Sequence, residues 1–274
     1  MALDRERDTL TLALLYRTML FAQPRSLRPM PNLAAMTPET VHESPSAAGR
    51  IPVVGIVGGI GSGKSAVARW VATQANVHVI DADRLGHDSL MASRVKASLR
   101  LAFGDGIFDA QGDVQRGALA RRVFGDTEEH RAARHNLEQI VHPEIERRIA
   151  DEIARAEQSA SEAVLLDAAV LLEAGWQRQC DAVVFVEAPD EVRLHRVQQR
   201  SGWTAEELHR REASQLSLPE KRKRSDAVVS NVGEVSDGGR QLLNFLRGRC
   251  VLSCKPSSES SQQSATSEFL PPRP

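Results

Sequence analysis

Apolar positions recur along this chain with two different spacings. Short runs rich in β-branched residues end in small or acidic ones: VVGIV at 53–57, VHVID at 77–81, AVLLD at 163–167 and AVVFV at 182–186. Between the first two lies SAVARWVATQA, whose apolar positions follow a helical period. Strand, helix and strand at this separation predict a parallel sheet with helices on both faces. AVVS at 227–230 completes a five-stranded core. Residues 126–159 are charged, but Leu137, Ile140, Ile145, Ile149 and Ile153 keep helical spacing, which predicts helices lying outside the sheet. The residue before a proline avoids the helical conformation, so His142-Pro143 is expected to break that stretch in two.

The ends of the chain carry neither pattern. Residues 22–50 contain Pro24, Pro29, Pro31, Pro38 and Pro45 among Ser, Ala and Thr, and the chain closes on SCKPSSESSQQSATSEFLPPRP. Such compositions order poorly. The expected folded unit is therefore 51–248, with a flexible extension at 1–50 and a flexible tail at 249–274, and there is no internal repeat. The apolar run LTLALLYRTMLF at 10–21 is interrupted by Arg17 and follows DRERD, which disfavours a signal peptide. A transit segment and a start placed too far upstream both stay open, with Met30 and Met36 as alternative starts.

Composition narrows the partners. Lys plus Arg number 35 against 36 Asp plus Glu, so no global basic field argues for nucleic acid. No apolar stretch approaches the roughly 18 residues of a membrane span. Cys180, Cys250 and Cys254 form no metal or redox spacing, as expected of reduced thiols in a cytoplasmic protein.

The chemistry begins at GGIGSGKS, residues 58–65. Gly58, Gly63, Lys64 and Ser65 satisfy G-x-x-x-x-G-K-[ST] after a predicted strand and before a predicted helix. Glycines let backbone N–H groups turn inward around phosphate oxygens, and a helix N-terminus adds partial positive charge. Lys64 can neutralise β- and γ-phosphate charge and Ser65 can ligate Mg²⁺. The expected cradle is Gly59, Ile60, Gly61, Ser62, Gly63, Lys64, Ser65 and Ala66, holding ATP. The second strand runs into I-D-A-D-R, which puts Asp81 and Asp83 at the carboxyl end of the sheet, where open α/β sheets bind ligands. A carboxylate there can accept a hydroxyl proton during attack on the γ-phosphate, and Asp83 is the preferred candidate, with helix capping as the alternative role for one of the pair. No N-K-x-D guanine reader is present, and Asp167 is followed by Ala168 rather than the Glu of large ATPases. Both absences favour a small kinase.

These pieces, with FGDGI, GDVQRGALARRVF, His142-Pro143, LLDAAVLLEAGW, R-x-x-x-R, R-E-A-S-Q and S-D-A-V-V-S-N, occur in an order that resembles the dephospho-CoA kinase family over roughly residues 53–246. The resemblance implies a P-loop kinase with a helical substrate region at about 84–160 and a lid at about 190–222. It implies γ-phosphoryl transfer from ATP to the ribose 3′-hydroxyl of dephospho-CoA, the last step of coenzyme A synthesis. Asp83 then faces the sugar hydroxyl, while Phe103, Arg116 and His142 fall in the region receiving the pantetheine-bearing substrate. Leu171, Leu172 and Glu173 match a family segment usually written P-L-L-F-E, of which this chain lacks the proline and the aromatic residue. Asn231 matches a position near the adenine.

Arg196 and Arg200 lie four apart on one helical face, and Arg211 follows on the next segment. Guanidinium groups suit a closing lid because they are always charged and can fork onto phosphate oxygens. Arginines on a helix face are commonly solvated, and it is the resemblance that implies a role for these three in catalysis beside Lys64. KRKR at 221–224 is expected to be a solvated turn rather than a nucleic-acid patch. No obligate protein partner is evident. Two rivals remain: a kinase for another nucleotide or nucleoside, and a nucleotide-binding regulatory module without phosphoryl transfer.

Overall fold

The computed structural model describes residues 50–125, 127–213 and 215–249. The expectations placed on residues 1–49 and 250–274, including Cys250 and Cys254, lie outside the described residues.

Five parallel strands form one sheet: β1 (Val53–Gly58), β2 (Val77–Asp81), β3 (Ala163–Asp167), β4 (Ala182–Glu187) and β5 (Ala227–Ser230), in the order β2-β3-β1-β4-β5. Side chains alternate across it. Val53 and Val57 of β1, Leu166 of β3 and Phe185 of β4 join one core, whereas Val54 and Ile56, Leu165, and Val184 and Val186 join the other. Both faces are covered, which explains the apolar runs. On one side lie α1 (Lys64–Gln74) and, contributed by the end of the chain, a helix over Val235–Gly248. On the other lie α2 (Ala82–Ser89), α3 (Ser93–Phe103), α4 (Arg116–Val123) and α5 (Glu128–Gln158). After β4 come α6 (Asp190–Ser201), α7 (Ala205–Glu212) and α8 (Leu218–Lys223), and the Val235–Gly248 helix is α9. Helices α6 to α8 occupy the stretch expected to form the lid.

The closeness of α1 and α9 depends on one residue without a side chain. A Cβ on Gly239 would stand 2.0 Å from Cε3 of Trp70, so glycine is what admits the indole.

The break expected at His142-Pro143 is absent. Residues Glu128–Gln158 form one helix of 31 residues with Pro143 inside it. An interior proline costs about 3 kcal/mol through its missing N–H and its clash with the preceding turn. Leu137, Val141, Ile145 and Ile149 are all essentially buried in one core. At roughly 1.5–3 kcal/mol for each such side chain, their burial outweighs the proline. KRKR is also not a solvated turn throughout. It lies largely in α8, and Lys221 is fully buried.

Strand β1 pairs with β3 on one side and β4 on the other. Chain connections diverge at that point, so a cleft opens above its carboxyl end. The glycine-rich loop stands there.

Candidate active site

The loop between β1 and α1 is shaped by contacts to its outward side. The Ser62 carbonyl accepts hydrogen bonds from Asn231 Nδ2 (2.7 Å) and Arg196 Nη1 (3.2 Å). In a trans peptide the next N–H, that of Gly63, points the opposite way. Gly63 has φ +85°, and a Cβ there would meet Asn231 Nδ2 at 2.3 Å. Helix α1 starts at Lys64 with no side-chain cap. An uncapped first turn carries partial positive charge, which suits a phosphate group.

Lys64 Nζ donates to Asp167 Oδ1 at 2.7 Å, and both side chains are buried. Asp167 ends β3, in register with Asp81 of β2 and Ile56 of β1. Sequence reasoning used Asp167 only to exclude large ATPases; the signal that marks it is an acidic residue closing an apolar strand of a parallel sheet.

A cleft of about 610 Å³ lies over this loop. Gly59, Gly61, Gly63, Lys64, Ser65 and Ala66 form its floor, with Arg69 of α1 beside them. Helix α2 supplies Asp83, Arg84, His87 and Asp88, and Asp81 stands at its N-cap. Helix α6 supplies Arg196, Val197 and Arg200. Asp81 Oδ1 accepts from the Arg84 N–H at 3.0 Å, so Asp81 is the capping carboxylate and Asp83, in the first turn, faces the cleft. The cleft thus brings Asp83, the lysine of the loop, and Arg196 and Arg200 of α6 around one space. Among the described residues no cluster of three His, Cys, Asp or Glu side chains could hold a metal alone.

The sequence matches the dephospho-CoA kinase family over residues 52–237. A relative of that description from Geobacillus kaustophilus is 35% identical over 195 residues, covering 71% of this chain and 94% of the relative. Another, from Rhodopirellula baltica, is 38% identical over 183 residues, 66% of this chain and 83% of the relative. The crystal structure of a Thermus thermophilus protein superposes with TM-score 0.61 at 35% identity, covering 73% of this chain and 98% of that one. The chain belongs to the dephospho-CoA kinase family.

In this dephospho-CoA kinase family member, several expected site residues stand behind the cleft rather than along it. Ile60 and Ser62 do not line it; Ile60 is buried against Val197 of α6 and Leu208 of α7. Asn231 is 1% exposed and braces the loop through Ser62. Arg211 pairs with Glu207 and lies over the Trp203 ring, 4.2 Å from its centroid. Leu171 and Leu172 are buried in the larger core, and Leu171 packs where a Cβ on Gly55 would meet it at 2.7 Å. Glu173 pairs with Lys221 at 2.9 Å and accepts from the Leu216 N–H at 3.1 Å, tying α8 and its approach to the segment after β3. Phe103 ends α3, half-buried against the same core. His142 packs edge-on to Trp176 at 5.9 Å, and burial depresses its pKa to about 4.

Arg116, the first residue of α4, contacts His87 Nε2. A guanidinium only donates, so a hydrogen bond here has His87 Nε2 as the acceptor. Burial and the Arg116 charge both lower its pKa. His87 is one turn beyond Asp83 and was not singled out from sequence; its only signal there was its place in VIDADRLGH.

Proposed function

We propose that this ATP-dependent kinase transfers the γ-phosphoryl group of ATP to the ribose 3′-hydroxyl of dephospho-CoA, with Asp83 as proton acceptor. What carries the assignment is the shared cleft of Asp83, Lys64, Arg196 and Arg200. Phosphoryl transfer needs positioning and charge stabilisation more than covalent help from the protein. Backbone N–H groups of the loop hold the phosphates. Lys64 has three donors, so it can keep one on Asp167 and turn the others to the β- and γ-oxygens. Arg196 and Arg200 stabilise the equatorial oxygens as charge redistributes. Asp83 orients the hydroxyl and takes its proton as the new P–O bond forms and ADP leaves. Ser65 lines the cleft beside Lys64 and is the residue whose hydroxyl would hold Mg²⁺. Bound there, it would neutralise phosphate charge.

The helices α6 and α7 act as a lid that excludes water, because a wet γ-phosphate is lost to hydrolysis. His87 and Arg116 form the acceptor-side wall. No helix among the described residues is long and apolar enough to cross a membrane. We place the enzyme in the cytoplasm, where ATP and the acceptor are both available.

The test is phosphate transfer from ATP and Mg²⁺ to dephospho-CoA, beside a panel of nucleoside monophosphates, with products identified by mass. Coenzyme A formed only from dephospho-CoA is the expected result. Transfer to a panel nucleotide would reassign the acceptor, and binding of ATP without any transfer would favour a regulatory module.

A further inference from the structure

Ile60 stands at the crest of the phosphate loop, yet its backbone and its side chain are both engaged by the lid. Its N–H donates to Glu212 Oε1 at 3.2 Å, from the last residue of α7. Its carbonyl accepts from Arg193 Nη1 at 3.1 Å, from α6. Arg193 and Glu212 are themselves paired, and Arg193 Nη2 reaches Asp190 at 2.5 Å. Arg193 is 1% exposed although it is always charged. Burial opposes its charge, but the Glu212 and Asp190 carboxylates outweigh burial and raise its pKa further. The Ile60 side chain meanwhile forms a small core with Val197 and Leu208, flanked by Leu194 and Trp203.

The flanking glycines are what let the lid come this close. A Cβ on Gly59 would meet Arg193 Nη1 at 2.8 Å and Glu212 Oε1 at 3.2 Å, and one on Gly61 would meet the Arg193 carbonyl at 2.7 Å. An amide committed to Glu212 is not spent on phosphate. Both arms of the lid hold the same residue of the loop, one through the N–H of the peptide before Ile60 and the other through the carbonyl of the peptide after it.

The geometry points to Arg193 and Glu212 as positioning residues for phosphoryl transfer, clamping the two peptides that flank Ile60 so that the phosphate loop and both lid helices move as one unit. This rests on the kinase assignment above. Arg193 and Glu212 touch no reacting atom. Their effect is to keep Arg196 and Arg200, on the same helix as Arg193, in fixed relation to the phosphates cradled next to Ile60. A clamp of this kind predicts loss of turnover and leakage of ATP to water when released, with acceptor affinity little changed.

The experiment compares Glu212→Ala, Glu212→Gln and the apolar pair Arg193→Met with Glu212→Leu in the full chain. It records kcat, both KM values, ATP hydrolysis without acceptor, and Tm. Misplacement by about 1 Å is enough to lower a rate about a hundredfold. Glu212→Ala should therefore lower kcat by about tenfold to a hundredfold and raise acceptor-free hydrolysis relative to transfer, with the acceptor KM within about twofold. Glu212→Gln keeps an acceptor for Ile60 N–H and for Arg193, and should restore most of kcat. If Glu212→Ala fails to fold, the apolar pair carries the test, since matched apolar replacement of a buried ion pair preserves stability. That pair should fold yet show the same fall in kcat and the same leak. A folded pair with unchanged kcat and no leak overturns the clamp. A wrong acceptor assignment appears instead in the wild-type enzyme, whose transfer to dephospho-CoA would be absent before any variant is made.

Discussion

Lys221 and Glu173 offer a measurement in which a substrate role and a structural role give opposite results. Lys221 has no exposed surface and the Glu173 side chain is 4% exposed, with 2.9 Å between the charges. Lys221 Nζ also donates to the Ala169 carbonyl and to Gln215 Oε1, both at 2.9 Å. Lys221→Met leaves the Glu173 carboxylate buried without its cation, with a hydrogen bond from the Leu216 N–H at 3.1 Å. Stripping one partner from a buried pair costs about 3–5 kcal/mol. Against a total stability of about 5–15 kcal/mol that is a large fraction. At about 2–4 °C per kcal/mol for a domain of this size, Tm should fall by roughly 6–20 °C. Arg222→Met is the control from the same basic run: its pair with Glu187 spans 3.3 Å and both side chains are about half exposed, so under about 1 kcal/mol is expected. The assay is thermal unfolding followed by circular dichroism at neutral pH, with Lys221→Met combined with Glu173→Leu to close the cycle. The double variant should regain much of the loss, because no charge is stranded. A Lys221→Met protein melting with the wild type refutes the reasoning. Glu173→Gln with normal Tm and a raised acceptor KM would return Glu173 to the substrate.

Three further outcomes follow from the same structure. Asp83→Asn should lower turnover by about 10²–10⁴-fold while ATP binding, measured by calorimetry, stays close to wild type; near-normal turnover would remove Asp83 from proton transfer. Burial raises the Glu138 pKa to about 7 from 4.5, with the Arg134 charge opposing it, so the folded state holds a proton that the unfolded state has released between those values. Its contribution is therefore present below about pH 4.5 and lost as pH rises through about 7, and Glu138→Gln should raise Tm at pH 8 but hardly at pH 5; an equal effect at both would contradict the shift. Gly239→Ala drives a methyl into the Trp70 ring and should cost about 1–3 kcal/mol in urea unfolding, whereas an unchanged midpoint would mean that α1 and α9 separate freely.

The sheet was legible because burial on both faces imposes a continuous apolar pattern that no loop sustains, and each strand lies where its run of aliphatic residues lies. The phosphate loop was legible because its demands are local: small residues for positive φ, then a lysine and a hydroxyl on the first turn of a helix. Pro143 was misjudged because its penalty is local while the compensation, a row of side chains buried against other helices, is not. Lys221 was misjudged for the same reason, since KRKR carries no trace of a carboxylate 48 positions earlier in the chain. Asp167, Glu212 and Arg193 acquire their meaning only when β3, α6 and α7 meet the loop at the divergence of the chain. Sequence determined which local conformations and which donor groups exist; the crossing of distant segments decided which of them face the cleft and which hold it in place.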